Sequence, residues 1–225
     1  LNILAAMKIA GVKKIVFSST AAVYSPSEKP AITEEDSTIP LSPYGATKLL
    51  SEQLISNVSS AEGFSCVSLR YFNVAGSGSD EMGDNSRDNL VPKVFLAITN
   101  GERPEVFGTD YPTPDGTCIR DYIHVSDLAR AHIDALKAVE KSRIDEIYNV
   151  GSGNGFSVTE VMTEIEKAMG KNLNPILGPR RAGDSPKLIA SIEKISRDLG
   201  WKPKHTLRDM ITSSWSAWQS QGGSR

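Results

Sequence analysis

Tyr44 and Lys48 stand four residues apart in the run Ser42-Pro-Tyr-Gly-Ala-Thr-Lys48. On a helix, positions i and i+4 share a face, so a phenol and an ammonium would lie side by side. A neighbouring cation stabilises phenolate, and such a tyrosine can take a proton from an alcohol while a hydride leaves the same carbon. The spacing alone is weak, because a chain with six tyrosines will often place a lysine four residues on by chance. Its surroundings give it weight. Ser18-Ser19-Thr20 closes a short apolar run, and a hydroxyl at the carboxyl end of a strand can meet a ligand lying over a sheet.

The elements that must position these groups are legible in the punctuation. Leu1 to Ala10 reads as an amphipathic helix stopped by Gly11, and Lys13 to Ser18 as a buried strand. A polar loop, Ser25 to Ser42, leads to a helix with Ser42 as N-cap and Pro43 at its first position, ending at Gly63. Ser65 to Phe72 is the next strand. After a long Gly/Ser/Asp loop, a helix is expected from Leu90 to Asn100, with short strands around Val106 and from Ile119 to His124. Ser126 is read as the cap of another helix and Glu146 to Val150 as a strand. Ser157-Val-Thr-Glu160 is a capping box, and two short helices follow, over Ser191–Leu199 and after Thr206. Strands separated by helices predict an α/β fold with a mostly parallel sheet and right-handed crossovers.

Bulk properties narrow the chemistry. In 225 residues, 39% are hydrophobic and 23% charged, with a formal net charge of −2, so no electrostatic footprint for nucleic acid or a membrane surface is expected. Cys66 and Cys118 lie far apart with no Cys/His cluster, which argues against a metal site and fits a reducing compartment, the cytoplasm. The apolar start is too short to span a bilayer. The chain opens on Leu, inside a helix, so an upstream segment is expected.

A strand ending in Ser18-Ser19-Thr20, followed by a capped helix carrying Tyr44 and Lys48, resembles the extended short-chain dehydrogenase/reductase superfamily. Further along come Arg70-Tyr-Phe-Asn73, Asp88-Asn-Leu-Val-Pro92, Val106-Phe-Gly-Thr-Asp110, Arg120-Asp-Tyr-Ile-His-Val125, Tyr148-Asn-Val-Gly151 and Pro179-Arg-Arg-Ala-Gly-Asp184. This ordered set is similar to UDP-glucose 4-epimerases along nearly the whole chain. The resemblance implies a Rossmann-like doubly wound sheet plus a smaller C-terminal α/β substrate-binding domain. Residues 1–73 with part of 119–157 would form the NAD-binding part, and 74–118 with 158–225 the UDP-sugar part. A homodimer is implied as well.

Carried over by position, the resemblance makes Thr20, Tyr44 and Lys48 the catalytic trio, with Ser18, Ser19, Tyr44, Lys48 and Tyr71 against NAD. Thr20, Phe72, Asn73, Asn89, Leu90, Val106, Phe107, Arg120, Arg181, Asp184 and Leu188 would contact the UDP-sugar. Within that set Asn73, Asn89 and Leu90 serve the diphosphate region, Val106 and Phe107 line the uracil, Arg120 and Arg181 clamp the diphosphate, and Asp184 holds the ribose hydroxyls. Guanidinium forks suit phosphate oxygens, and a carboxylate suits two vicinal hydroxyls. The family's glycine-rich cofactor turn is expected upstream of Leu1, so the 225 residues alone are expected to be inactive.

Two rival readings remain. A nucleotide-sugar 4,6-dehydratase needs an Asp-Glu pair after the threonine, where Ala21-Ala22 stand; a non-catalytic binding protein on the same fold would typically lose Tyr44 or Lys48. Ser25 and Leu188 depart from the family pattern, and Leu188 leaves the sugar scope open. His124 is read as structural, Asp127 as favouring a helix N-terminus by its charge. Gly151 to Gly155 is read as a tight turn, since Phe156 breaks a dinucleotide fingerprint.

Overall fold

Strand β1 (Lys14–Thr20) runs from apolar Ile15, Val16 and Phe17 to hydroxyl-bearing Ser18, Ser19 and Thr20, and the pleat sends successive side chains to helices on opposite faces. Ile15 and Phe17 pack with Leu4 of α1 (Asn2–Ile9) and Ile55 of α2 (Pro43–Glu62). Val16 packs on the opposite side with Leu128, Ala131 and Ala135 of α4 (Val125–Lys141). β2 (Ser65–Tyr71) and β6 (Asp145–Val150) lie parallel beside β1 in the order β1-β2-β6. Helices on both faces of a parallel sheet make a doubly wound α/β layer. The computed structural model describes residues 1–86, 88–181 and 183–222.

The chain leaves this sheet through Phe72, whose N–H donates to Val150 O at 3.1 Å, and enters a second one at β3 (Asn73–Ala75). There β5 (Ile119–His124) is the hub. Its second half pairs in parallel with β3, and its first half pairs antiparallel with β7 (Gly155–Ser157) and in parallel with β9 (Lys187–Leu188). β4 (Glu105–Phe107) and β8 (Ile176–Gly178) form a separate parallel pair. Around the second sheet α3 (Leu90–Thr99), α5 (Val158–Met169) and α7 (Leu207–Ser220) share an apolar core built on Phe95, Ile165, Met210 and Ile211. The last third of the chain serves both cores: Ile195 of α6 (Glu193–Leu199) and Trp201 pack into the α4 side of the first sheet.

The caps expected at Ser42, with Pro43 next, and at Ser157 with Glu160 are present. One expectation is corrected, and Asp127, in the first turn of α4 as expected, has a further role. The helix at 125 is capped by His124, whose Nδ1 accepts the Ser126 N–H at 3.0 Å, so the imidazole does the work assigned to the serine. Asp127 is fully buried and accepts the backbone N–H groups of Lys204 and His205 at 2.8 and 3.0 Å. It is therefore an anchor for the approach to α7. Its burial opposes the charge, but these donors prevail and hold its carboxyl below the usual range.

Candidate active site

The site begins where β1 ends. Thr20 caps a single 3-10 turn over Ala21–Val23, its Oγ1 accepting the Ala22 N–H at 3.2 Å. The hydroxyl hydrogen remains available to donate. Against that turn lies the first turn of α2, held by Gly45: a Cβ there would come within 2.2 Å of Ala22 O. Only glycine permits this approach, which sets the first turn of α2, with Tyr44 on it, against the turn that Thr20 caps. Tyr44 is 53% exposed, open to a ligand. One turn on, Lys48 Nζ donates to Ser18 O at 2.8 Å and stands 5.8 Å from the Tyr44 ring centroid. The ammonium has further N–H groups for a ligand's hydroxyls. Tyr44 and Lys48 thus share one face of α2 beside the end of β1, where Thr20 caps its turn.

The helix face continues to Glu52, four residues beyond Lys48. This buried carboxylate pairs with Arg70 of β2, Nη2 to Oε2 at 2.6 Å, and accepts from the Ser19 hydroxyl. Arg70 also donates to the Tyr24 hydroxyl at 3.1 Å, which donates to Asn149 Oδ1 of β6 at 2.6 Å. Burial pushes the Tyr24 phenol up to about 12. The network ties α2, both strand ends and the loop after Thr20 into one block. Ser19 thus turns its side chain into that block and can face a cofactor only through its backbone. Ser18 points to the other side of the sheet, its Oγ 2.9 Å from His132 Nε2 of α4. Tyr71 is half-buried; burial first, then the Tyr44 phenol, pushes its own phenol up, while Ser18 acts in the opposite direction.

The anionic end is assembled from the second sheet. Arg120 of β5 pairs with Asp184 at 3.2 Å and donates to Ser185 O at 2.8 Å. The Arg181 guanidinium lies 3.9 Å over the Phe107 ring, and Arg180 lies 4.3 Å over Tyr111 while pairing with Asp110. Two arginines thus stack on the loop after β4, leaving the planar fork of Arg181 exposed. Asn73 is exposed on β3, and Asn89 and Leu90 open α3, with Asn89 donating to Asp84 Oδ2 at 2.8 Å. Phe72 is buried with Ala21, Val23 and Tyr24, and Leu188 packs against this cluster. Val106 departs from expectation: its side chain is in the core with Phe95 and Ile165, leaving only its backbone for a ligand. Ala182, within the Pro179–Asp184 motif, lies outside the described residues.

Asp121 fixes Arg120 in place. Its buried carboxylate accepts from Ser152 N at 2.7 Å, Ser152 Oγ at 2.8 Å, Gly153 N at 3.0 Å and Ala190 N at 3.1 Å. Burial pushes this carboxyl up to about 6 against those four donors. The Gly151–Gly155 turn is wrapped around it, since a Cβ on Gly151 would sit 2.5 Å from Asp121 Oδ2. Glu52, Gly45, Asp121 and His132 were not singled out from sequence. Only Glu52 had a signal, the 44-48-52 spacing on one helix face.

A doubly wound α/β layer with an open tyrosine and a lysine at the carboxyl end of one strand defines a nucleotide-cofactor fold with a Tyr–Lys site. The chain belongs to the NAD dependent epimerase/dehydratase family, whose sequence pattern matches residues 1–151. It is 45% identical to a UDP-glucose 4-epimerase of Azospirillum brasilense over 97% of this chain and 64% of that protein. It is 44% identical to one of Corynebacterium glutamicum over 96% and 66%. Among solved structures, the UDP-glucose-4-epimerase of Stenotrophomonas maltophila with bound NAD and formylated UDP-arabinopyranose matches with a TM-score of 0.92, at 36% identity, over 97% of this chain and 67% of that one. The UDP-glucose 4-epimerase of Bifidobacterium longum in complex with NAD+ and UDP gives a TM-score of 0.86 at 37% identity, over 98% and 67%. The chain spans about two thirds of the length of these relatives.

Proposed function

We propose that this chain carries the catalytic part of a UDP-glucose 4-epimerase, interconverting UDP-galactose and UDP-glucose. The observation that carries the reading is that Tyr44 and Lys48 share one face of α2 at the end of β1, where the Gly45 contact packs that helix against the turn Thr20 caps. The donor set fits the nicotinamide-ribose end of NAD: Lys48 has ammonium hydrogens beyond the one given to Ser18 O, and Tyr44 is open beside it. When bound there, NAD supplies the two-electron acceptor for the C4 hydrogen of the sugar.

Tyr44 takes the proton of the sugar 4-hydroxyl and later returns it. Lys48 holds its positive charge beside Tyr44, and Thr20 donates to the same sugar oxygen. Arg120 and Arg181 hold the diphosphate, and Phe107 and the backbone at Val106 receive the uracil. Asp184 accepts from the ribose hydroxyls, exchanging part of its pairing with Arg120. Leu188, packed against the cluster beneath Thr20, faces the sugar. Residues 1–73 with part of 119–157 serve the cofactor, and the remainder mainly the UDP-sugar. Ala21 and Ala22, which form the turn after Thr20, cannot move the protons that a 4,6-dehydratase requires.

The cytoplasm and a homodimer belong to the same proposal. Both cysteines are buried free thiols, and Ile3, Ile9 and Leu50 leave apolar surface on the outer faces of α1 and α2. Among the described residues no helix is long and apolar enough to cross a membrane.

Turnover of UDP-galactose by the protein as its gene encodes it, with NAD present, tests the reading. The expected result is conversion to UDP-glucose, with a poorer kcat/KM on the N-acetylated pair. Leu188 obstructs an acetamido group only in part, and a difference of a methylene or two is worth about 1–3 kcal/mol. No turnover on either pair would refute the assignment, and a clear preference for the N-acetylated pair would revise it. Arg120→Ala and Arg181→Ala should each weaken UDP binding by roughly 2–5 kcal/mol, because each removes a charged donor from a phosphate site. Calorimetric titration with UDP checks this, and unchanged affinity in both variants would remove the clamp.

A further inference from the structure

His132 lies on α4, across the sheet from Lys48 and Glu52, and none of the motifs above includes it. Its Nδ1 is 2.9 Å from Leu128 O, and its Nε2 is 2.9 Å from Ser18 Oγ. A carbonyl oxygen can only accept, so in the neutral ring Nδ1 must carry the hydrogen and Nε2 must be the bare acceptor. The hydroxyl of Ser18 therefore donates to His132. That choice commits the one hydrogen of Ser18 to the imidazole, which has an aromatic neighbour as well.

The neighbour is Tyr71, at the end of β2. Its ring centroid is 6.5 Å from that of His132, the planes tilted by 49°. The backbone carbonyl of the same Ser18 accepts from Lys48. Ser18 thus joins two sides of the sheet: its carbonyl serves the Lys48 side and its hydroxyl serves the His132 side. If the hydroxyl is released, the residue whose carbonyl holds Lys48 loses its side-chain anchor.

We propose that His132 is a positioning residue for this site, acting through the Ser18 hydroxyl to fix the backbone carbonyl that holds Lys48. The inference rests on the epimerase reading for its kinetic consequence, but not for its geometry. His132 touches neither the reacting sugar nor the arginines that hold the diphosphate. Its loss should therefore lower kcat and leave UDP affinity in place.

The test uses three variants in the protein as its gene encodes it. In His132→Gln the side-chain oxygen can reach the Nε2 position and accept from Ser18; in His132→Asn the amide reaches only the Nδ1 position; His132→Phe keeps ring volume without either bond. The Gln variant is expected to retain most of the turnover. The Asn and Phe variants should lose about tenfold in kcat, the scale on which small misplacements act, with KM for UDP-galactose and the calorimetric affinity for UDP little changed. In a Ser18→Ala background the Gln and Phe variants should become equal, since the partner they differ over is gone. Independently of activity, ¹⁵N-histidine NMR at a pH where the ring is neutral should find His132 protonated at Nδ1 and bare at Nε2.

An Nε2–H tautomer would overturn the proposal, as would equal losses in all three variants, full activity in all three, or a Gln–Phe difference that survives Ser18→Ala. Should the unmodified protein not epimerise at all, the functional reading fails by itself. The tautomer, with its dependence on Ser18, then decides the role of His132.

Discussion

Replacing Tyr44 by Phe is expected to lower turnover by roughly 10²–10⁴, the range for losing a positioned general acid–base group. The variant keeps the ring, the first turn of α2 and the Gly45 contact, and it removes only the hydroxyl oxygen of an exposed residue. Because that oxygen acts mainly in the transition state, UDP affinity should stay within a factor of a few of the parent. Rate and calorimetric affinity measured on the same preparation separate the two quantities. Turnover near the parental value would remove Tyr44 as the proton carrier. A parallel fall in affinity would instead show that the phenol serves ground-state binding.

The second large effect is on stability. Glu52→Leu should destabilise the fold by about 3–5 kcal/mol, because it leaves the Arg70 guanidinium buried without its counter-charge. Arg70 and Glu52 are about 4% and 3% exposed, so water cannot take the place of the lost partner. The double variant Glu52→Leu/Arg70→Met removes both charges and should recover much of that loss, since the desolvation cost disappears with the pair. Urea unfolding monitored by fluorescence checks both. The double variant should nevertheless turn over more slowly than the parent. The pair also holds Tyr24, Asn149 and Ser19, and with them the turn that presents Thr20 to Tyr44. A single variant as stable as the parent would show that Arg70 finds another partner or reaches solvent.

Which parts of this were legible in advance follows from the range of the forces involved. The helices α2 and α5 could be read directly, because Ser42-Pro43 and Gly63 on the first and Ser157 with Glu160 on the second are local signals satisfied within a turn of themselves. The pairing of Tyr44 with Lys48 is of the same kind, fixed by helix geometry. The short strands β3, β7, β8 and β9 had no such signal. Each is two or three residues long and exists only because β5 or β4 lies beside it. The same reason explains His124, which caps α4 through its ring where the following serine had seemed the better candidate.

By itself, the sequence determined the chemistry on offer: a phenol and an ammonium on one helix face, a threonine closing a strand, and arginines in two runs far apart along the chain. It also determined the family, through the order of its motifs. Tertiary structure alone decided where the neighbouring hydroxyls went. Ser18, Ser19 and Thr20 are consecutive and chemically alike, yet the pleat sends the first to His132 and the second to Glu52, while the third stays at the rim as a cap. It likewise turned Val106 into the core while its neighbour Phe107 meets Arg181. Residue types and spacings are local properties of the chain. Which face of a strand is buried, and against what, depends on elements tens of residues away and is fixed only when they pack.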